Sequence, residues 1–167
     1  MSIRLWHILT ITMILCLAGI GLATLLVANH FQYVGTDFCS VNPFISCEKV
    51  NTGPWSKIIG IPWALIGFIG FVTLFIMAYL QQYYPRIDKN EHIMPMMVVV
   101  TWIGTFFVVY LNYLEFFEIH QVCLLCAITH VIMIVILILI NWWFFIGRHN
   151  ALSNEQVEIT DISKDST

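Results

Sequence analysis

The sequence is poor in charged residues. Of its 167 residues only 10 % are Asp, Glu, Lys or Arg, whereas 59 % are hydrophobic and the mean hydropathy is +0.84. So little charge is atypical of a water-soluble domain and indicates a membrane protein. The seven basic residues are scattered and the net charge is −3. No basic surface for nucleic acid is expected, which excludes that class of function.

The sequence also lacks the usual signatures of redox cofactors. It has no G-x-G-x-x-G motif following a strand, the pattern that binds nicotinamide or flavin dinucleotides. It has six histidines, but no two of them in the apolar runs pair at one depth, so we expect no haem. Any electron acceptor must therefore be of another kind.

Four separate apolar runs are each long enough to cross a bilayer, which takes about 20 residues. They predict an all-α integral membrane protein, a four-transmembrane-helix bundle with spans at about 8–28, 58–80, 93–111 and 122–146. The membrane domain is residues 1–147, with a long loop at 29–57. Residues 148–167 are polar and aperiodic, and we expect a disordered tail there.

The distribution of basic residues predicts the orientation. Four spans place both termini on one side, and the positive-inside rule assigns the more basic side to the cytoplasm. That side carries Arg4, Arg86, Lys89, Arg148 and Lys164, against Lys49 and Lys57 on the other. We therefore expect cytoplasmic termini, an extracytoplasmic loop 29–57, and location in the cell inner membrane or its equivalent, in contact with membrane lipid.

Four of the five cysteines fall on the predicted extracytoplasmic side. Cys39 and Cys47 lie in the long loop, and Cys123 and Cys126 lie where the fourth span begins. That compartment permits disulfides, whereas the cytosol generally keeps thiols reduced. Cys16 is alone in the middle of the first span, and we interpret it as a packing residue.

The spacing of Cys123 and Cys126 suits a reversible disulfide. Residues three apart share one face of a helix, and at a helix start the free N–H groups and the helix dipole favour the reactive thiolate. Cys126 should lie deeper by about 4.5 Å. With the loop pair, these cysteines form a possible two-electron relay, and a quinone reaching Cys126 from the bilayer is the simplest acceptor.

Other interpretations of the cysteines remain open at this point. Both pairs are compatible with permanent disulfides in a non-enzymatic membrane adaptor. Four cysteines also suggest zinc, but structural zinc sites commonly use two closely spaced pairs, and Cys39 and Cys47 are separated by seven residues. We therefore expect no metal site.

Three stretches of the chain resemble the vitamin K epoxide reductase family, including its prokaryotic homologues. They are CSVNPFISCEKV at 39–50, SKIIGIPWALIG at 56–67 and CLLC at 123–126. The combination of two loop cysteines, a Gly-x-Pro before the second span and a C-x-x-C in the fourth is specific. The resemblance covers the whole membrane part of the chain.

The resemblance implies a membrane thiol–disulfide oxidoreductase that supports disulfide bond formation. In the family pattern Cys39 exchanges with a thioredoxin-like or DsbA-like partner, Cys47 hands over to Cys123, and Cys126 faces the quinone. The loop would cap a pocket for a quinone of the ubiquinone, menaquinone or vitamin K type. The same enzyme class can run in the reductive sense, on a quinone epoxide, and that alternative stays open.

Two positions depart from the family pattern. Many relatives have a serine where this chain has Gly53, so Thr52 or Ser56 is a candidate substitute. The vertebrate enzymes have a tyrosine where this chain has His130, four residues after Cys126 and on the same helix face. An ionisable residue inside a membrane is a functional candidate, so His130 is predicted to contact the quinone. The alternative is a histidine whose hydrogen bonds are satisfied by a neighbouring helix.

Overall fold

The computed structural model describes residues 3–34, 46–53, 56–58, 60–84 and 92–165. Within these ranges, four helices are long and apolar enough to cross a membrane. They are α1 (Ile3–His30), α3 (Trp63–Tyr83), α4 (Ile93–Tyr113) and α5 (Leu124–Asp165). The prediction of an all-α protein with four spans is confirmed.

Short elements join the spans on the side of the long loop. They are the helix α2 (Cys47–Thr52), the strands β1 (Lys57–Ile58) and β2 (Ile61–Pro62), and a π-helical segment (Leu114–Ile119). The two strands form an antiparallel hairpin. Gly60 in its turn has a φ of 82°, a conformation that glycine adopts without strain. Because the hairpin occupies residues 57–62, α3 begins later than the predicted span at 58.

The ends of the last two spans also differ from the sequence prediction. The third continues past residue 111, where the predicted span ends, through the π-helical segment to Ile119. The fourth helix continues to Asp165, where the sequence analysis expects a disordered tail. Hydropathy marks where lipid contact ends but not where the helix ends, and residues 148–165 contain no proline or glycine to stop it.

The bundle is formed by α1 packing against α3 and α5, and by α4 packing against α3 and α5. Glycine permits two of these close approaches. A Cβ at Gly19 would lie 2.7 Å from the ring of Phe71, and a Cβ at Gly104 would collide with Met133. Gly67 and Gly70 have nothing within 4 Å of that position. These two glycines therefore leave open space inside the bundle.

Buried apolar residues form two clusters. The larger one lies within the helix bundle and includes Cys16, which has no exposed surface and packs among Leu74, Met97 and Ile136. The smaller one lies at the loop side and contains Leu26, Cys47, Val50, Cys123 and Leu125. Cys47 and Cys123 are thus part of one water-excluded cluster.

Candidate active site

Cys47 is held in place by the start of α2. It is the first residue of that helix, and the hydroxyl of the preceding Ser46 accepts a hydrogen bond from the Lys49 amide at 3.4 Å. The Ser46 amide donates to the Val122 carbonyl at 3.2 Å. The backbone just before Cys47 is therefore tied to the backbone just before Cys123.

The other end of α2 is attached to α1. The Asn51 amide group donates to the Leu26 carbonyl and to the Asn29 side-chain oxygen, the latter at 3.1 Å. His30 donates from its Nδ1 to the Asn51 carbonyl at 2.6 Å. Asn51 is buried, so these bonds satisfy polar groups that water does not reach. With both ends held, α2 has a defined position over the bundle.

Cys123 occupies the position immediately before α5. Its sulfur accepts a hydrogen bond from the backbone N–H of Cys126 at 3.3 Å, the contact that N-cap side chains make. Such a donor stabilises negative charge on the sulfur when it attacks or leaves.

The sulfurs of Cys47 and Cys123 are in contact. They lie 3.1 Å apart, and neither residue is exposed. Cys47 is disulfide-bonded, whereas Cys123 and Cys126 are free thiols. A covalent S–S bond is about 2.05 Å long, so the contact is about 1 Å longer than a disulfide. Thiol–disulfide exchange requires a thiol in contact with one sulfur of a disulfide, and this arrangement meets that requirement.

Beyond Cys123 the bundle encloses a cavity of about 230 Å³. Five helices contribute to its wall, α1 to α5, and most of the lining side chains are apolar. The polar ones are Asn51, Cys126, Thr129 and His130. Cys126 thus lies on the cavity wall, next to Cys123 in the chain of contacts that begins at Cys47.

The hydrogen bonding of His130 indicates the tautomer of its neutral ring. His130 is buried, and its Nδ1 accepts from the side-chain amide of Asn112 at 3.1 Å. That amide also donates to the Val108 carbonyl at 2.8 Å. With Nδ1 as the acceptor, the neutral ring carries its proton on Nε2, which makes that atom a hydrogen-bond donor.

The model of the Vitamin K epoxide reductase family matches residues 10–141, which include all four membrane-spanning helices in part or in full. The chain belongs to the vitamin K epoxide reductase family. A comparison with curated proteins finds no match. The protein is therefore a multi-pass membrane oxidoreductase of that family, and the predicted resemblance is confirmed.

Of the four cysteines expected from the family pattern, the structure brings three together. Cys47, Cys123 and Cys126 form the contacts described above, whereas Cys39 lies outside the described residues. In the part of the chain that is described, no group of three or more His, Cys, Asp or Glu side chains is arranged to hold a metal ion.

The departure from the family pattern at Gly53 has a local explanation. Gly53 ends α2, and its amide donates to the Lys49 carbonyl at 3.1 Å. A Cβ at this position would lie 2.7 Å from that carbonyl oxygen. Of the two candidate substitutes, Thr52 is exposed and Ser56 is buried, and neither is among the described residues that line the cavity.

Glu115 is the site residue that the sequence analysis misses. It is buried, and its backbone carbonyl accepts a hydrogen bond from the Gln121 amide at 3.2 Å, in the turn that leads to Cys123. Glu115 and Glu118 both follow the predicted third span, which ends at residue 111. The π-helical segment instead extends the third span, so that one of the two acids lies inside the protein and the other outside.

The sulfur contact predicts a specific cross-link. In a Cys39→Ser/Cys126→Ser variant, mild oxidation should join Cys47 to Cys123, because a displacement of about 1 Å brings the sulfurs to bonding distance. Mass spectrometry of the digested protein would identify the linked peptides. Cys16, which stays in this variant, is the internal control and should remain a thiol. Oxidised protein without the Cys47–Cys123 link would contradict the geometry.

Proposed function

We propose that this protein oxidises a thioredoxin-like or DsbA-like partner at the extracytoplasmic face and passes two electrons to a membrane quinone, supporting disulfide bond formation. The observation that carries the proposal is the 3.1 Å contact between Cys47 and Cys123, with Cys126 beside them on the cavity wall. The asymmetry of the basic residues supports placing the loop outside and both termini in the cytoplasm.

The first half of the proposed reaction uses the loop cysteines. A partner thiolate attacks the Cys39–Cys47 disulfide at Cys39, and the partner's second thiol resolves the mixed disulfide. The partner leaves with a disulfide, and Cys39 and Cys47 become thiols. Two electrons and two protons have then entered the protein.

The second exchange moves the electrons inward. The Cys47 thiolate attacks Cys123 of a Cys123–Cys126 disulfide, and Cys126 leaves as a thiolate. Cys39 then attacks Cys47 and restores the loop disulfide, so that Cys123 and Cys126 are both reduced. The contact between the disulfide-bonded Cys47 and the free thiol of Cys123 supports an exchange between the two pairs.

The cavity has the size and chemistry for a quinone head group. A cavity of about 150 Å³ is enough to hold benzene, and this one measures about 230 Å³. The rings of Phe107 and Tyr110 lie 5.8 and 5.7 Å from that of Trp63 at the wall. The Nε2–H of His130 is a suitable donor to a quinone carbonyl. A bound quinone would accept two electrons and two protons from the Cys123 and Cys126 thiols.

A static adaptor has less support from the cysteine arrangement. Permanent disulfides would need no free thiol against a disulfide sulfur, and they would need no cavity at the second cysteine of the C-x-x-C. The two arrangements together favour an enzyme. Reduction of a quinone and reduction of a quinone epoxide would use the same contacts. In both reactions the free thiols beside the cavity would donate the electrons.

The proposed function predicts that the purified protein catalyses quinone reduction. With dithiothreitol as the electron donor and a short-chain quinone, the protein should form quinol. Cys126→Ala should lower the rate by about 100-fold or more, because the thiol that faces the acceptor is missing. Cys16→Ala is the matched control and should keep the parent rate. Quinol formation by Cys126→Ala at the parent rate would contradict the relay.

The cavity makes a second prediction. Gly67→Leu places a side chain into open space at the cavity wall. The KM for the quinone should rise by about 10-fold or more, because the added side chain occupies space that the quinone needs and weakens its binding. Gly21→Leu is the control, because Gly21 is also surrounded by open space but does not line the cavity. Equal KM values in the two variants would place the quinone elsewhere.

A further inference from the structure

Two of the polar side chains on the cavity wall use their hydrogen-bond donors inside the protein. Asn51 donates from its side-chain amide to the Leu26 carbonyl and to the Asn29 side-chain oxygen, which uses both of its N–H groups. The Thr129 hydroxyl donates to the Cys126 carbonyl at 2.7 Å. A molecule in the cavity that needs a hydrogen-bond donor must therefore find it on another side chain of the wall.

The His130 ring offers such a donor. Its Nδ1 is occupied by the side-chain amide of Asn112 at 3.1 Å. Its Nε2 has no hydrogen-bond partner in the part of the chain that the structure describes, and it is not among the fully buried polar atoms that lack one. The two ring nitrogens point in different directions, so Nε2 faces away from Asn112. Because His130 lines the cavity and Asn112 does not, this arrangement fits an Nε2 that faces the cavity.

The orientation of the Asn112 amide is fixed by its other contact. The same amide nitrogen lies 2.8 Å from the Val108 carbonyl, one turn earlier on α4. A carbonyl only accepts hydrogen bonds, so the group that faces it is the NH2 group and not the amide oxygen. The second N–H of this group then points to Nδ1 of His130, which must be unprotonated to accept it. A neutral histidine of this kind carries its proton on Nε2.

The direction of this hydrogen bond decides what His130 can do in the cavity. With the proton on Nε2, the ring donates to an acceptor such as a carbonyl oxygen. With the proton on Nδ1, the ring would present a lone pair to that oxygen, and two acceptors would face each other without a hydrogen. Leaving a buried polar group unpaired in this way is unfavourable.

A second asparagine makes contacts of the same form away from the cavity. The side-chain amide of Asn141 donates to the Leu137 carbonyl at 2.8 Å, and its oxygen accepts from the Trp102 indole on α4 at 3.2 Å. Polar pairs of this kind between helices stabilise membrane bundles. Neither Asn141 nor Trp102 is among the described residues that line the cavity. A comparison of Asn112 with Asn141 therefore separates bundle stability from an effect on the cavity.

We infer that Asn112 is a positioning residue that holds His130 neutral, with its proton on Nε2, as the hydrogen-bond donor to a carbonyl oxygen in the cavity. The inference rests on the proposed function and names the residue that sets the donor at the same site. A quinone fits this donor, because each of its two carbonyl oxygens accepts hydrogen bonds. Asn112 acts through His130 and is not itself part of the cavity wall.

The first test is infrared spectroscopy of the purified full-length protein with a short-chain ubiquinone bound. A hydrogen bond lowers the stretching frequency of a quinone carbonyl, and isotope labelling of the carbonyl carbon identifies the band. In Asn112→Leu, which keeps a similar volume but has no donor, the band should shift towards the frequency of a free carbonyl, as in His130→Phe. Asn141→Leu is the matched control and should keep the parent band. A parent band in Asn112→Leu would overturn the inference.

The second test is a double-mutant cycle on the KM for the same ubiquinone. Asn112→Leu should raise KM by about 10-fold, because a hydrogen bond to the quinone is lost. The double variant Asn112→Leu/His130→Phe should have the KM of His130→Phe alone, because Asn112 acts through His130. Asn141→Leu should keep the parent KM. Losses that add in the double variant would overturn the inference.

A measurement with Asn112 in place covers the case in which Asn112→Leu does not fold. Nitrogen-15 NMR of protein labelled at histidine distinguishes protonated from unprotonated ring nitrogens, and His130→Phe identifies the His130 signals. We expect a protonated Nε2 and an unprotonated Nδ1 at neutral pH. A proton on Nδ1 would overturn the inference.

The outcomes also separate this inference from the proposed function. A parent protein that reduces the ubiquinone, with an unchanged carbonyl band in Asn112→Leu, would overturn the role of Asn112 and leave the relay standing. A parent protein that neither binds nor reduces the ubiquinone would overturn the relay itself, and this inference with it.

Discussion

Cys47 and Cys123 are 76 residues apart in the chain, and their sulfurs meet at 3.1 Å in a site that water does not reach. Thiol–disulfide exchange requires this proximity, because the attacking sulfur must approach one disulfide sulfur directly. Hydrogen bonds on both sides of Cys47 fix the position of α2 near Cys123. Ser46 ties the start of α2 to the backbone at Val122, and Asn51 ties the end of α2 to α1.

The second constraint is the order in which the reactive groups lie between the loop and the interior of the helix bundle. The polar and reactive groups lie in order from the loop towards the bilayer, from Cys47 to Cys123 to Cys126, and then to a cavity with an almost entirely apolar wall. The cavity wall suits an apolar carrier, and in the proposed relay the exchange with a protein partner takes place at the loop.

Much of this arrangement could be predicted from the sequence, because run length and cysteine position depend on local composition. The four spans follow from hydropathy, and Cys123 and Cys126 follow from spacing. The burial of Glu115 could not be predicted, since it depends on a π-helical continuation of the third span past an apolar run that ends earlier. The helix through residues 148–165 was missed for a related reason, because polar composition alone does not exclude helix.

The account depends on the order in which the two cysteine pairs exchange electrons. The most direct measurement is time-resolved alkylation with mass spectrometry, started by adding quinone to the fully reduced protein. The account predicts that Cys123 and Cys126 lose reactivity first and that Cys39 and Cys47 follow. It also predicts that the loop pair stays reduced in Cys123→Ala. Oxidation of the loop pair first, or its oxidation by quinone in Cys123→Ala, would contradict the relay.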